Sequence, residues 1–215
     1  MEFADPRVAE VFAVYVERHG EENARMRSLA PGEMGARRDE FLLPVGAEAA
    51  RFLHSLVVAR APRTILELGT SYGYSTLFLA DAARRCGARV ITVDLDPVKQ
   101  AYAADMLERA GLGGTVEFRS GDAIAIVETD PGPFDFVFLD IWKDLYVRCF
   151  EAVYPKLSDE AVLATDNMVY PEGARESARA LRAAINAKSD LQTALLPIGQ
   201  GIELSVKWNA GNAKL

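Results

Sequence analysis

Three oxygen-bearing side chains and one amine follow two apolar runs in the second half of the chain. Asp140 ends the run that begins at Phe134, and Lys143 comes three residues later. Asp166 and Asn167 end the next apolar run. Neighbouring strands lie about 4.8 Å apart, so adjacent tips would bring the two carboxylates and the amide oxygen together. This all-oxygen set suits Mg²⁺, Mn²⁺ or Ca²⁺, and the lack of a thiolate or imidazole argues against zinc.

Lys143 is the candidate general base beside this predicted metal site. It falls in the first turn of a predicted helix, where the helix dipole and a bound cation would both favour the uncharged amine. Trp142 would offer a flat apolar wall to an aromatic ring or a cofactor. Simpler interpretations stay open: Asp140 as a helix cap, Asp166 with Asn167 as a turn, Lys143 as an exposed partner of Asp144, and the indole as core.

A glycine turn directly follows the first predicted strand. The stretch "ILELGTSYGYST" places Gly69 and Gly73 between that strand and a helix. Such a turn lets a ligand approach backbone amides and a helix N-terminus. The spacing is not the dinucleotide pattern Gly-x-Gly-x-x-Gly, and the bulky Tyr74 would crowd a pyrophosphate.

Three acids are predicted at the carboxyl ends of successive strands. Glu67 precedes the glycine turn, Asp94 ends the second strand, and Asp122 follows the third. Asp94 is suited to two ribose hydroxyls and Asp122 to an adenine amino group. Each acid alone is more simply a helix cap, but three at one edge favour a ligand. Acidic groups favour a cationic cofactor, so we expect S-adenosylmethionine, with its sulfonium and ammonium, rather than NAD.

Alternating strands and helices must position these residues. The predicted strands span residues 64–68, 89–94, 115–120, 134–140 and 161–166, with helical spacing between them. This order predicts parallel pairing with right-handed crossovers in a three-layer α/β sandwich. Near the end, "LQTALLPIG" and "IELSVKW" are separated only by Gln200 and Gly201. A connection that short predicts an antiparallel hairpin.

The first 60 residues are interpreted as helices added to a single domain that spans 1–215, with the cofactor-binding core at 61–215. Residues 29–46 are rich in proline and glycine and predict a loop, and residues 47–60 return to helical spacing. Asp5 and Pro6 begin an amphipathic helix. Its apolar stripe suits a homodimer contact or core packing equally well, and consists of Val8, Val11, Phe12, Tyr15 and Val16.

Composition excludes several classes of partner. The chain has 215 residues and a formal charge of -7, which argues against nucleic-acid binding. Its two pairs of adjacent arginines, at 37–38 and 84–85, are more simply interpreted as parts of the solvent-exposed surface. Cys86 and Cys149 are far apart in sequence and suggest reduced interior thiols. No secretory leader and no apolar run of about 20 residues are recognised, so we expect a cytoplasmic protein without a membrane contact.

Taken together, these motifs resemble the metal-dependent O-methyltransferases that use S-adenosylmethionine, a group that includes the catechol and caffeoyl-CoA enzymes and bacterial relatives. "LELGTSYGYS" resembles the family's cofactor turn and "VDLDP" its ribose-binding acid, while "FLDIWKDLY" and "ATDNMVYP" resemble its two metal-binding stretches. The resemblance covers about residues 42–172. It implies the Rossmann-like fold of class I methyltransferases and methyl transfer to a hydroxyl of a small, catechol-like aromatic acceptor.

The resemblance also implies roles by position. Asp140 and Lys143 match catalytic residues. The matching metal ligands are Asp140, Asp166 and Asn167. The residues expected at the acceptor are Trp142, Lys143, Asn167 and Pro171. Those expected at the cofactor are Leu43, Val45, Glu67, Gly69, Thr70, Ser71, Gly73, Tyr74, Ser75, Asp94, Leu95, Gly121, Asp122, Ala123, Asp140 and Trp142.

Two departures from the catechol enzyme bear on whether the acceptor is a vicinal diol. Ile141 stands where the catechol enzyme has a histidine beside the cofactor. No counterpart of the glutamate that holds the second catechol hydroxyl is evident between Leu191 and Gly199, and Glu203 lies in the last predicted strand. Two other functions stay open: a metal-independent methyltransferase acting on nitrogen or on a protein, and a non-catalytic module that binds S-adenosylmethionine.

Overall fold

Seven strands form one mixed sheet in the computed structural model, which describes residues 3–30 and 32–208. The strands are β1 (Thr64–Leu68), β2 (Arg89–Asp94), β3 (Val116–Ser120), β4 (Phe134–Leu139), β5 (Leu157–Thr165), β6 (Leu191–Leu196) and β7 (Ile202–Lys207). Their order is β3-β2-β1-β4-β5-β7-β6. The first five pair in parallel, whereas β7 is antiparallel to both β5 and β6. The predicted mostly parallel sheet with an antiparallel C-terminal hairpin is confirmed.

Helices cover both faces of this sheet. The α-helices are α1 (Pro6–Arg27), α2 (Glu33–Arg37), α3 (Ala47–Arg60), α4 (Tyr74–Cys86), α5 (Pro97–Arg109), α6 (Ala123–Thr129), α7 (Tyr146–Val153) and α8 (Arg175–Asn186). Apolar residues of α1, α3, α4 and α5 form one core with the sheet, and those of α6, α7 and α8 form the other. Two cores on opposite faces give the predicted three layers. None of the described helices is both long enough and apolar enough to cross a membrane.

Capping residues set the starts of the helices that flank the site. Asp5 accepts a hydrogen bond from the Arg7 amide at 3.0 Å at the start of α1, and Asp96 caps α5 through the Val98 amide at 2.8 Å. Proline occupies the first position of both helices, where its missing N–H costs nothing. Helix α5 packs against β2 and β3, and α1 packs against α4 and α5.

Several boundaries differ from the predictions. Residues 29–46, predicted to be a loop, contain α2 and a 3₁₀ turn at Arg38–Glu40, because Glu33 accepts the Ala30 amide at 3.0 Å and starts a helix there. The hairpin loop is longer than two residues, since Leu196 already pairs with Ile202. Strand β5 begins at Leu157, which pairs with Phe134 across a bulge.

Candidate active site

The tips of β1, β4 and β5 are joined by backbone hydrogen bonds. The Asp140 amide donates to the Leu68 carbonyl at 2.9 Å, and the Asp166 amide donates to the Leu139 carbonyl at 3.1 Å. Leu139 pairs with Thr165, so Asp140 and Asp166 each stand one residue beyond neighbouring strands in the same register. The two acids therefore lie side by side at the carboxyl edge of the sheet, as expected for tips of adjacent strands.

Asp166 is a buried carboxylate with one oxygen that has no hydrogen-bond donor among the described residues. It is 1% exposed, and its Oδ1 has no hydrogen-bond partner within the described chain. Burial raises the pKa of Asp166, and the negative charge of Asp140 raises it further. A buried carboxylate oxygen without a donor is costly unless a cation or proton neutralises it. The oxygens at these strand tips therefore fit a divalent cation.

Asn167 is oriented to leave its carbonyl oxygen available. It adopts a left-handed backbone with φ 57°, which asparagine tolerates better than most residues. Its Nδ2 donates to Gln200 Oε1, a partner that sequence reasoning missed. The residues described contain no group of three His, Cys, Asp or Glu side chains suited to a metal. A cation would therefore rest on two carboxylates and one amide, with waters or substrate completing its shell.

Lys143 is directed toward the acids rather than toward its sequence neighbour. Its Nζ donates to Asp140 Oδ1 at 3.0 Å, and it lies 5.0 Å from the centre of the Tyr146 ring. The alternative pairing with Asp144 is wrong, because the Lys143 ammonium forms its ion pair with Asp140. Tyr146, also missed, is fully buried and donates its hydroxyl to the Asp166 carbonyl at 2.7 Å.

Trp142 lies at the surface of this edge. Its side chain is 47% exposed, so the interpretation as a core tryptophan is wrong. The Arg38 guanidinium lies 5.2 Å from the centre of the indole ring. The ring is thus available as a wall for a bound aromatic group. Ile141, beside it, packs against the core formed by α6, α7 and α8.

The glycine turn packs directly against the predicted metal edge. A Cβ at Gly69 would overlap the carbonyl oxygen of Asp140, and the φ of 106° already disfavours other residues. A Cβ at Gly73 would lie 2.7 Å from Ala103 Cβ, under α5. Both glycines are therefore required by close backbone approach as well as by conformation.

Glu67 is enclosed beneath the turn. It is fully buried, and its two oxygens accept hydrogen bonds at 2.6 Å from the hydroxyls of Ser75, Thr76 and Thr92. Burial raises the pKa of Glu67 to about 7, although the three hydroxyls oppose this shift. The Ser75 hydroxyl is thereby committed to Glu67. The predicted cofactor contacts of both residues stay predictions.

Two other residues of the turn direct their side chains inward. The Thr70 hydroxyl is 2.6 Å from the Thr92 hydroxyl and accepts from Gln100 Nε2 at 3.1 Å. The Tyr74 ring is buried against Tyr15, in contact with α1. Because these two side chains are engaged inside the protein, Thr70 and Tyr74 can offer a cofactor their backbone groups. Sequence reasoning missed Gln100 because it lies on α5, away from every motif.

Asp94 organises the loops around the predicted ribose site. Its Oδ2 accepts from the Ser71 amide at 2.7 Å and its Oδ1 from the Asp96 amide at 2.9 Å. The Gly121 amide donates to the Asp94 carbonyl at 2.9 Å. Leu95 is exposed next to it. Each Asp94 oxygen keeps a lone pair, so the half-buried carboxylate can still accept hydroxyl donors.

Asp122 takes the role of a helix cap. Its Oδ1 accepts from the Ala125 amide at 2.8 Å at the start of α6. Ala123 is buried in the core beside it. The simpler alternative for Asp122 is therefore observed, and an additional contact with adenine stays a prediction.

The segment at 41–46 is fastened beside this edge by α1. Glu22 Oε2 accepts from the Leu42 amide at 2.6 Å, and this buried anchor was missed because it is 20 residues away in sequence. Leu43 is partly exposed and has a positive φ of 42°, whereas Val45 is buried. The predicted closure of Leu43 and Val45 over the cofactor stays a prediction.

Pro171 and Glu203 are the remaining residues that bear on acceptor binding. Pro171 is half-buried and precedes the short 3₁₀ turn at Glu172–Ala174. Glu203 is fully buried in β7, where it accepts from Thr193 at 2.7 Å and lies 3.0 Å from Arg182. Glu203 is thereby committed to the interior and does not replace the missing catechol-binding glutamate.

Comparison with known proteins agrees with this geometry. Residues 20–208 match the family model described as O-methyltransferase. A catechol O-methyltransferase of Niastella koreensis is 35% identical over 68% of this chain and 65% of its own length. Caffeoyl-CoA O-methyltransferase 2 of Zea mays is 25% identical over 80% of this chain and 73% of its own.

Solved structures resemble the chain over most of its length. The O-methyltransferase TomG of Streptomyces achromogenes, solved in complex with S-adenosylmethionine, has a TM-score of 0.72 and 27% identity. That match covers 82% of this chain and 87% of the other. The class I methyltransferase fold implied by the resemblance is confirmed. The chain therefore belongs to the family of S-adenosylmethionine-dependent O-methyltransferases whose relatives include the catechol and caffeoyl-CoA enzymes.

Proposed function

We propose that this chain uses a divalent cation to methylate a hydroxyl of a small, catechol-like aromatic acceptor. The observation that carries the proposal is the buried Asp166 Oδ1, which lacks a donor beside Asp140. Mg²⁺ is the expected ion, with Mn²⁺ or Ca²⁺ as alternatives, held by Asp140, Asp166 and Asn167. When bound, the cation would lower the pKa of an acceptor hydroxyl from about 10, the value of a free phenol.

Lys143 takes the proton of the reacting hydroxyl in this mechanism. Its Nζ lies 3.0 Å from Asp140 Oδ1, and Asp140 thereby holds the amine at the strand tips. The acceptor oxygen forms a bond to the methyl carbon of S-adenosylmethionine while the methyl–sulfur bond breaks. The products are the methyl ether, S-adenosylhomocysteine and a protonated Lys143.

The rest of the rate acceleration comes from orienting the two reactants. The exposed Trp142 ring offers one wall to the acceptor, and Asp94 with the glycine turn holds the cofactor. Leu43 covers the cofactor's methionine end. Holding both reactants in line and excluding water accounts for most of the acceleration expected of such a site.

An activity screen tests the proposal. Catechols, flavonoids and hydroxycinnamoyl thioesters are incubated with labelled S-adenosylmethionine, with and without EDTA, followed by addition of Mg²⁺ or Mn²⁺. We expect methylation that EDTA abolishes and metal restores. A metal-independent methyltransferase would be indifferent to EDTA, and a non-catalytic module would bind the cofactor without turnover; either result contradicts the proposal.

Two lysine substitutions test the assignment of Lys143 as the general base. Lys143→Ala is expected to lower kcat about 100-fold or more, as loss of a general base does, with cofactor affinity within about threefold of wild type. Lys188→Ala, which removes a lysine paired with Glu151 at 2.9 Å elsewhere, serves as the matched control. Unchanged turnover in Lys143→Ala would show that the base is assigned wrongly.

The homodimer and the cytoplasmic location remain predictions. Of the α1 stripe proposed for a homodimer contact, Val8, Val11 and Tyr15 are buried in the chain's own core, while Val16 is 53% exposed. Core packing therefore explains most of the stripe, and light scattering at several concentrations tests the dimer. Cell fractionation tests the cytoplasmic location.

A further inference from the structure

The 3₁₀ turn at Arg38–Glu40 crosses the carboxyl edge of the sheet. On one side Asp39 pairs with Lys99 Nζ at 3.3 Å, at the start of the helix that follows β2. On the other side the Arg38 guanidinium lies 5.2 Å from the Trp142 ring, just beyond β4. Strand β1 lies between β2 and β4. The turn thus spans the glycine turn and brings Arg38 to the proposed acceptor site.

Arg38 differs from its neighbours in the partners it has. Arg37 binds Glu40 through two hydrogen bonds, at 3.0 and 2.8 Å, and Asp39 is committed to Lys99. Within the described part of the chain, no carboxylate forms an ion pair with Arg38, whose observed partner is the indole. An arginine stacked on an aromatic face keeps its fork of N–H donors free for an anion.

Arg38 contacts the residue that directly precedes the proposed base, since Trp142 is followed by Lys143. Lys143 in turn donates to Asp140 at 3.0 Å, so the guanidinium, the indole and the proposed base lie at the same edge of the sheet. A guanidinium at this edge of the sheet attracts an anionic acceptor and leaves a neutral one unaffected.

We infer that Arg38 determines acceptor specificity by binding a carboxylate carried by the aromatic ring that lies against Trp142. The inference rests on the proposed function and extends it from catechol-like acceptors to acidic ones. A guanidinium binds a carboxylate through two parallel hydrogen bonds, a geometry that an ammonium cannot reproduce. A neutral ring would use Trp142 alone.

Matched acceptors and matched variants test this inference. The probes are 3,4-dihydroxybenzoate and its neutral analogue 3,4-dihydroxybenzamide, assayed with S-adenosylmethionine and Mg²⁺. Wild type is expected to favour the benzoate in kcat/KM. Arg38→Gln should lower the benzoate-to-benzamide ratio about 10- to 100-fold, mainly through KM, as expected for a lost charged hydrogen bond. Arg38→Lys should recover only part of that ratio.

The neighbouring arginine is the control. Arg37→Gln removes a charge one residue away that is already paired with Glu40, so the benzoate-to-benzamide ratio should stay within about threefold of wild type. An Arg38→Gln ratio equal to that of wild type, or an equal loss for both acceptors, would overturn the inference and leave Arg38 as a structural residue.

A binding measurement separates this inference from the proposed function. If neither probe is methylated, the proposed acceptor class is wrong. Calorimetry of the two compounds against the protein with S-adenosylhomocysteine and Mg²⁺ still tests Arg38. Tighter binding of the benzoate that Arg38→Gln abolishes supports the inference; affinities that this variant leaves unchanged, or absence of benzoate binding, overturn it.

Discussion

Glu67→Gln tests how the buried carboxyl beneath the glycine turn affects stability. Glu67 is fully buried and accepts hydrogen bonds from three hydroxyls, with no cation among its partners. Burial raises the pKa of Glu67 from the ordinary 4.5 to about 7. The folded chain therefore binds this proton more tightly than the unfolded chain, so stability falls as pH rises from 4.5 toward 7. Glutamine keeps the shape and removes the titration.

The magnitude follows from linkage. A carboxyl with pKa 4.5 unfolded and about 7 folded changes the free energy of unfolding by about 3 kcal/mol in total. About 2 kcal/mol of this falls between pH 5.5 and pH 8. For a chain of this length that is a change in Tm of roughly 4 to 8 °C.

Urea unfolding of the cofactor-free protein measures the effect. Wild type and Glu67→Gln are compared at pH 5.5, 6.5, 7.5 and 8. The variant should gain about 2 kcal/mol relative to wild type across this range. Glu176→Gln, at an exposed site on α8, should follow wild type at every pH. Parallel stability curves for wild type and Glu67→Gln would refute the reasoning.

Two further substitutions probe the packing around the site. Gly69→Ala should lower the free energy of unfolding by about 2 kcal/mol or more, because the new Cβ would overlap the Asp140 carbonyl. In urea unfolding Gly114→Ala, whose Cβ meets nothing within 4 Å, is its control, and equal stability of the two variants would contradict the account. Asp81→Asn removes a buried carboxylate that pairs with His54 at 3.0 Å and with two arginines of its own helix. Thermal unfolding should show a loss of about 2 to 3 kcal/mol, and a loss below about 0.5 kcal/mol would mean that these charges contribute little.

Much of the site could be predicted because it lies at strand ends. Asp140 and Asp166 each follow an apolar run, and the crossover rule for parallel strands places their tips at one edge. Gly69 could be recognised from its position after the first strand. These inferences need the direction of the strands, which the alternation of apolar runs indicates, whereas the adjacency of β4 and β5 is established by the structure. The division of the chain into one domain with added helices stays a prediction.

The missed features depend on contacts between side chains that are distant in sequence. Glu67 is enclosed by hydroxyls from two other elements, so its burial could not be read from its own surroundings. Arg38 reaches Trp142 because Glu22 fixes the Leu42 amide and Asp39 pairs with a lysine 60 residues away. No apolar period marks the segment at 29–46, and its position is set by these anchors.

Direct measurement of metal binding tests the central claim, that Asp140, Asp166 and Asn167 hold one divalent cation. Mn²⁺ is titrated into the protein with S-adenosylhomocysteine and followed by electron paramagnetic resonance, a readout independent of turnover. Wild type should bind one Mn²⁺ per chain, Asp166→Asn should bind it about 10- to 100-fold more weakly because one ligand charge is lost, and Asp144→Asn should match wild type. Absence of Mn²⁺ binding in wild type, or equal affinity in Asp166→Asn, would contradict the account.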